Sequence, residues 1–410
     1  MIALSGGCLC DPAQGLWGPA DIYIRAGRIL AVVPSGSPAP DGAWQVYDCT
    51  GRLVVPGPID TLCRLSPAAE PWREDADTLA AAASSAGYTS LLVYTGSADP
   101  DIISGLARVR RPVRLLPVAA LSAGDGLCDL GRLAAAGAVA YSDWPEPTSD
   151  PLRLRRGLAY AGALGRPVVV HPEDASLAQG GVMHEGSRSF AMGLRGVPGV
   201  AEVVAVARDA ALQRAFGGRL HFAAVSAAES LPFLGDASAS VMAHHLVLTE
   251  AAVAGYDTAA KLSPPLRTEA DRAALLQAAR SGRLLVASGH RPTPPEEKAC
   301  EYDYAAFGAS ALETALAVAL ESLGPEAFVH ATSLGPARAF GLDGGTLPPG
   351  APADIAVLDA DALWTVRPEA FLSRGRTSPL AGRSVRGRAV LTIVGGEVAS
   401  GDLDCCIKMH

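Results

Sequence analysis

The chain has 410 residues, of which 49% are hydrophobic and 19% charged, so it can bury a large core and carries too little charge for disorder. A formal net charge of −8 with no basic run argues against nucleic acid as a partner, and no charge-free apolar run of about 18 residues offers a membrane span. The opening MIALSGGCLCDPAQG has neither the basic nor the apolar region of a signal peptide. The cytoplasm is therefore the expected location, with Cys8, Cys10, Cys49, Cys63, Cys128 and Cys300 as reduced thiols and Cys405 and Cys406 in a polar tail.

Residues 1–55 read as short strands broken by turns. "ADIYIRAGRILAVVP" alternates on both sides of a glycine turn, as a β-hairpin does, and "QVYDCTGRLVVPG" follows in the same style. Residues 343–400 show the same patterning in "GTLPPGAPADIAVLDADALWTV" and "GRAVLTIVGGEVAS". The two ends are expected to join into one small composite β-sandwich domain, with 401–410 as a tail. Residues 56–342 differ. Apolar runs such as "SLLVY", "VRLLPVAAL", "PVVVHPED", "LHFAAVS" and "LLVASGH" alternate with helical stretches such as "DADTLAAAASSAG" and "GVAEVVAVARDAALQRAFGG". This predicts a parallel α/β architecture: a (β/α)8 TIM-type barrel first, a doubly wound sheet second.

In such a barrel, chemistry belongs at the C-terminal ends of the strands. Those ends carry Asp143 after "AVAY", His171 after "PVVV", His221, then His244 and His245, and His290 after "LLVASG". His171 and Asp143, with His221, His245 or His290, form a partial ligand set for a hydrolytic metal site. Zinc asks for three or four such donors. The competing reading is that each histidine caps a strand or fills a polar pocket. His184 and His330 have no partner in the pattern and read as ordinary residues.

Several stretches carry a resemblance that runs in order along nearly the whole chain. They include "VVPGPID", "REDADTLAAAASSAGYTSLLVY", "AGAVAYSD", "GGVMHEGSRSFAMGLRGVPGVAEVVAVARD", "HHLVLTEAAVAGYDTAAKLSPPLRTEADRAALLQA" and "EEKACEYDYAAFGASALET". They resemble the dihydroorotase family of the amidohydrolase superfamily. The resemblance implies a barrel whose metal pair activates a water, an aspartate that moves the proton, and arginine and asparagine side chains that hold the substrate carboxylate.

Against that pattern the chain departs at almost every chemical position. Where the family reads D-x-H-x-H-L-R, the sequence has Asp60, Thr61, Leu62, Cys63, Arg64, Leu65 and Ser66, so both histidine ligands and the substrate arginine are gone. The substrate asparagine position is Gly96 and a second one is Ser263. Asp143 and Trp144 stand where the family has paired acids, Ala224 replaces a histidine ligand, and Gly289 occupies the position of the catalytic aspartate.

The resemblance thus implies an inactive dihydroorotase-like homologue with no catalytic, substrate-binding or metal residues, Asp143 and His171 being vestiges. Arg64 is expected to pair with Asp143 and fill the vacated space. No cofactor is expected. The partner implied is the catalytic chain of aspartate transcarbamoylase, in a homo- or hetero-oligomer. Two other readings stand beside it. One is a metal-dependent cyclic amidohydrolase with zinc in a rearranged site of Asp143, His171, His221, His245 and His290. The other is a metabolite sensor using a cavity lined by Ser66, Gly96, Ala224 and Gly289.

Overall fold

The alternating pattern of the first 56 residues builds five strands: β1 (Ile2–Asp11), β2 (Leu16–Arg25), β3 (Arg28–Pro34), β4 (Ala43–Asp48) and β5 (Leu53–Pro56). This is a computed structural model describing residues 1–67, 70–401, 403 and 405–409. The β2–β3 turn is Ala26–Gly27 with φ of 51° and 79°. Two consecutive left-handed residues match the twist of the hairpin strands. A side chain at Gly27 would also meet the Gly395 carbonyl oxygen at 2.9 Å, so the turn and its packing both require glycine.

Eight short apolar runs then form a parallel sheet in chain order: β6 (Ile59–Arg64), β7 (Ser90–Tyr94), β8 (Arg114–Ala119), β9 (Ala140–Ser142), β10 (Pro167–Val170), β11 (Arg219–Phe222), β12 (Ser238–Met242) and β13 (Leu285–Ala287). The first and last strands meet. Cys63 bridges His290 in parallel register, and the Arg64 amide donates to the His290 carbonyl at 2.8 Å. Asp60 completes the seam. It is fully buried, and it accepts from the Ser288 amide at 2.8 Å and from the Ser288 hydroxyl. Burial pushes its carboxyl above the usual carboxylate range, against the lowering effect of those hydrogen bonds. The fold is the (β/α)8 barrel; a doubly wound sheet would leave β6 and β13 apart.

Helices flank the strands: α1 (Ala76–Ala86), α2 (Pro100–Arg108), α3 (Leu130–Ala136), α4 (Pro151–Ala163), α5 (Gly199–Phe216), α6 (Glu269–Arg280) and α7 (Leu312–Leu323). Helix α1 shows the local logic. Asp75 caps its first turn in a reciprocal box with Thr78, and Gly87 ends it at φ 102°. Helix α5 departs from a simple amphipathic pattern, because its buried stripe of Ala201, Ala205, Val206 and Ala210 also contains Glu202 and Asp209.

Asp209 is 1% exposed, accepts from Arg208 Nε at 2.7 Å, and leaves Oδ2 without a partner. Burial raises its carboxyl to about 6. A raised acid binds its proton more readily in the folded state, so its contribution is favourable below the unfolded value and is lost as pH rises through about 6. The unfolding free energy of wild type relative to Asp209→Asn is expected to fall by about 2–3 kcal/mol between pH 4 and pH 7. Urea titrations of both proteins across that range check it; parallel pH profiles would refute the assignment.

The C-terminal strands β14 (Ile355–Thr365), β15 (Ser384–Val394), β16 (Glu397–Gly401) and β17 (Cys405–Met409) return to the first five, in the order β16-β15-β14-β5-β1-β2-β3, with β4 joining β1 to β17. The two chain ends therefore share one nine-stranded sheet with its own core around Leu4, Leu9, Ile22, Ile355 and Ile393. The segment expected to be a tail adds a strand instead: Cys405–Met409 pairs antiparallel with β4. The side chains of Cys405 and Cys406 lie outside the described residues. The other six cysteines are free thiols; Cys10, Cys49, Cys63 and Cys128 are buried and Cys300 is exposed. Among the described residues no helix is long and apolar enough to cross a membrane.

Candidate functional site at the barrel mouth

The residues singled out from the sequence do gather at the C-terminal ends of the strands, but they do not form one ligand set. Asp143, His221, His245 and His290 each take a different partner, while the buried His244 has none at either ring nitrogen. Asp143, at the end of β9, accepts from the amides of Leu121 and Ser122 at 3.1 and 2.9 Å and from the Ser122 hydroxyl at 2.7 Å. Its carboxylate is consumed by the loop after β8. The expected Arg64–Asp143 pair does not form; Asp143 bonds to the nearer backbone donors, which satisfy it without desolvating a second charge.

Trp144, beside it, is 4% exposed and packs edge-on against Tyr94 with ring centroids 5.3 Å apart. Tyr94 in turn donates its hydroxyl to the Thr61 carbonyl at 3.0 Å. This aromatic pair, and not Arg64, takes up buried space at the mouth.

The histidines divide in the same way. His221 is fully buried, with Nδ1 2.9 Å from Ser238 Oγ and Nε2 3.2 Å from Ser240 Oγ; both hydroxyls come from β12. Burial holds its imidazole down to about 3, so it stays neutral. His245 Nε2 lies 3.2 Å from the Pro265 carbonyl. His290 Nδ1 accepts from the Ala311 amide at 3.1 Å, which places the proton on Nε2, 3.4 Å from Glu74 Oε2; both side chains are fully buried. Glu74 had no distinguishing signal in the sequence, since it sits in the loop before α1 and meets His290 only through closure of the barrel.

His171 has no hydrogen-bond partner at Nδ1, as is also true of His245 Nδ1, His290 Nε2 and both ring nitrogens of His244. His171 is 3% exposed, and its Nε2 stands 3.9 Å from Glu173 Oε2. Burial first, and then the charge of Arg291, lower it to about 4. Burial conversely raises Glu173.

Three of the positions where the family has chemical groups are closed. Leu62 is fully buried and Ala224 is 1% exposed, at φ 56°. Gly289 sits at φ 66°, and a Cβ there would lie 2.2 Å from Met242 Sδ and 2.6 Å from Met242 Cγ. Methionine has moved into the volume that a side chain at 289 needs, which its unbranched shape permits. Ser263 lines a cavity of about 270 Å³ together with Glu146, Glu173 and Phe307. Gly96 is exposed, with nothing within 4 Å of its Cβ direction. A single cavity joining Ser66, Gly96, Ala224 and Gly289 is thus not formed, because two of the four are sealed in the core.

A metal does not fit these residues. Among the described residues no three His, Cys, Asp or Glu side chains are grouped to hold an ion. Asp143 has spent its oxygens, and Arg64 and Arg291 place two permanent cations at the strand ends, where they oppose a dication. Arg291 was legible in the sequence as the residue after His290, but nothing in the pattern marked it as a neighbour of Arg64. Zinc affinity of catalytic grade needs three protein ligands and their supporting shell.

Comparison with known proteins agrees with the fold and the motifs. The dihydro-orotase-like family matches residues 51–230, and the amidohydrolase family matches residues 304–399. Dihydroorotase of Pelotomaculum thermopropionicum is 38% identical over 424 residues, covering 98% of this chain and 99% of that protein. Dihydroorotase of Anaeromyxobacter dehalogenans is 38% identical over 423 residues, covering 97% of each. Among solved structures, L-hydantoinase (dihydropyrimidinase) from Arthrobacter aurescens superposes with a TM-score of 0.86 at 23% identity, over 98% of this chain and 97% of that one. At that identity the superposition speaks for the fold. Closed barrel, shared terminal sheet and end-to-end relatedness together leave one assignment: the chain belongs to the dihydroorotase family of the amidohydrolase superfamily.

Proposed function

We propose that this dihydroorotase-family chain does not carry out metal-dependent ring opening and serves as a structural partner of an active enzyme. One observation carries the reading: of the strand-end positions where the family keeps a ligand or a base, Leu62, Arg64, Ala224 and Gly289 offer no donor and Asp143 is bonded internally, so that His171 is left without companion ligands. The scaffold, by contrast, is complete. A fold retained without its reactive groups is what an assembly role requires. By resemblance, the expected partner is the catalytic chain of aspartate transcarbamoylase, and co-elution of the two purified proteins at about 1–10 μM tests it, since a stable partner binds below that range.

The relatives speak for a second reading, and more strongly than for the first. Proteins named dihydroorotase match 97–98% of the chain at 38% identity, which favours a cyclic amidohydrolase. One experiment separates the two. Homogeneous protein, purified without chelator and then supplied with zinc, is assayed for interconversion of carbamoyl aspartate and dihydroorotate beside metal quantification. The expected result is below about 0.1 equivalent of bound metal and no conversion above the protein-free rate. Turnover that titrates with added metal would establish the second reading and end the first.

A further inference from the structure

The mouth of the barrel holds two arginines whose charges nothing nearby neutralises at contact distance. Arg64 ends β6 and Arg291 follows His290 just beyond β13. The Cys63–His290 bridge and the Arg64 amide bond to the His290 carbonyl put the two residues side by side across the barrel seam. Each is only partly exposed. Among the described residues neither guanidinium makes a hydrogen bond or an ion pair within 4 Å.

The surrounding cations are all satisfied. Arg73 pairs with Glu70 and with Glu297, each at 2.9 Å. Lys298 donates to the carbonyls of Thr258 and Lys261 at 2.9 and 3.2 Å. Lys261 donates to those of Tyr302 and Asp303 at 2.7 and 2.9 Å. Arg64 and Arg291 are the exceptions, and they disfavour one another. Burial, and next the charge of Arg64, lowers Arg291 to about 10, while burial, and next the charge of Arg73, lowers Arg64 below the usual arginine range. Holding two like charges together with water partly excluded is costly without a counter-charge. Glu146 acts on both from a distance but is exposed and pairs with neither. His171, buried, with Nδ1 unpartnered, stands within the field of Arg291.

We propose that Arg64 and Arg291 form a binding site for a small dianion with carboxylate or phosphate oxygens, set where the family places its metals. Two guanidinium groups carried on neighbouring strand ends can each offer a fork of donors to such oxygens, and the ligand supplies the charge that the pair lacks. Glu146 is then a competing internal anion that the ligand displaces. The inference rests on the reading that no metal occupies the site.

Titration calorimetry with malonate and with inorganic phosphate, in EDTA at fixed ionic strength, tests it. Wild type is expected to bind at least one of them with a Kd near or below about 1 mM, and whichever binds more tightly identifies the oxygen chemistry. Arg64→Gln and Arg291→Gln should each weaken binding at least about tenfold, the scale of one lost charge-assisted contact. Glu146→Gln should tighten it, and this variant keeps the test informative if an arginine variant fails to fold. No saturation by either anion up to about 20 mM, or unchanged affinity in all three variants, overturns the proposal. Because EDTA is present throughout, that failure leaves the turnover assay to judge the non-catalytic reading separately.

Discussion

Replacement of Glu202 by alanine is expected to lower the unfolding free energy by about 3–5 kcal/mol, the cost of breaking a buried charge network from one side. Glu202 is 2% exposed on the inner stripe of α5. Its carboxylate accepts from the Ser226 amide at 3.0 Å on both oxygens, from the Ala227 amide at 3.0 Å, and from the Ser226 hydroxyl at 2.5 Å. The Ser226 oxygen then accepts from Arg267 Nε at 3.1 Å, while Arg267 NH1 donates to the Val197 carbonyl at 2.6 Å and meets His184 Nδ1 at 3.1 Å. His184, expected to be an ordinary residue, thus belongs to this network.

Removal of the carboxylate strands two amides and leaves Arg267, 4% exposed, without its main opposing charge. Glu202→Gln, which keeps one acceptor oxygen, is expected to cost less than half as much. Chemical denaturation of the three proteins decides the matter: an alanine variant within about 1 kcal/mol of wild type would show that the network is dispensable.

The second large effect concerns restoration of the missing base. Gly289→Asp should destabilise the protein by about 2–4 kcal/mol, combining left-handed backbone strain with overpacking. The new Cβ meets Met242 at three atoms, the nearest 2.2 Å away, in a residue that is itself 3% exposed. The same variant should stay at background in the dihydroorotate assay, because Leu62, Arg64 and Ala224 still offer no ligands. Gly289→Asp combined with Met242→Ala should recover part of the lost stability by vacating the volume. If Gly289→Asp alone melts with wild type, the packing argument fails. The physical point is that Met242 fills the volume a side chain at 289 would need, so this single substitution does not add a base without displacing the core.

How far each part was legible depended on the range of the interaction. Strand–helix alternation and the glycine turn at Ala26–Gly27 are local, and the sequence carried them without help. The motif positions did as well: substitution of Arg64, Ala224 and Gly289 at strand ends is visible residue by residue. What those residues do instead was not visible. The Arg64–Asp143 pair was a reasonable expectation for opposite charges at one end of a barrel. It failed because Asp143 finds two amides and a hydroxyl in the neighbouring loop. The last ten residues read as a polar tail because five residues show little alternation, yet β4 offers an edge for them to pair with.

The amino-acid sequence by itself determined the barrel and the family and showed which residues stand at the family's motif positions, since each is written in periodicities and motifs along the chain. The tertiary structure alone decided which partner each survivor took: Glu74 against His290, serines around His221, methionine in the space beside Gly289, and two arginines on neighbouring strand ends across the seam. The His290 and arginine outcomes arise where β6 and β13 meet, more than 220 residues apart in sequence. Side-chain competition at such a junction is settled by geometry and desolvation, which no one-dimensional pattern records.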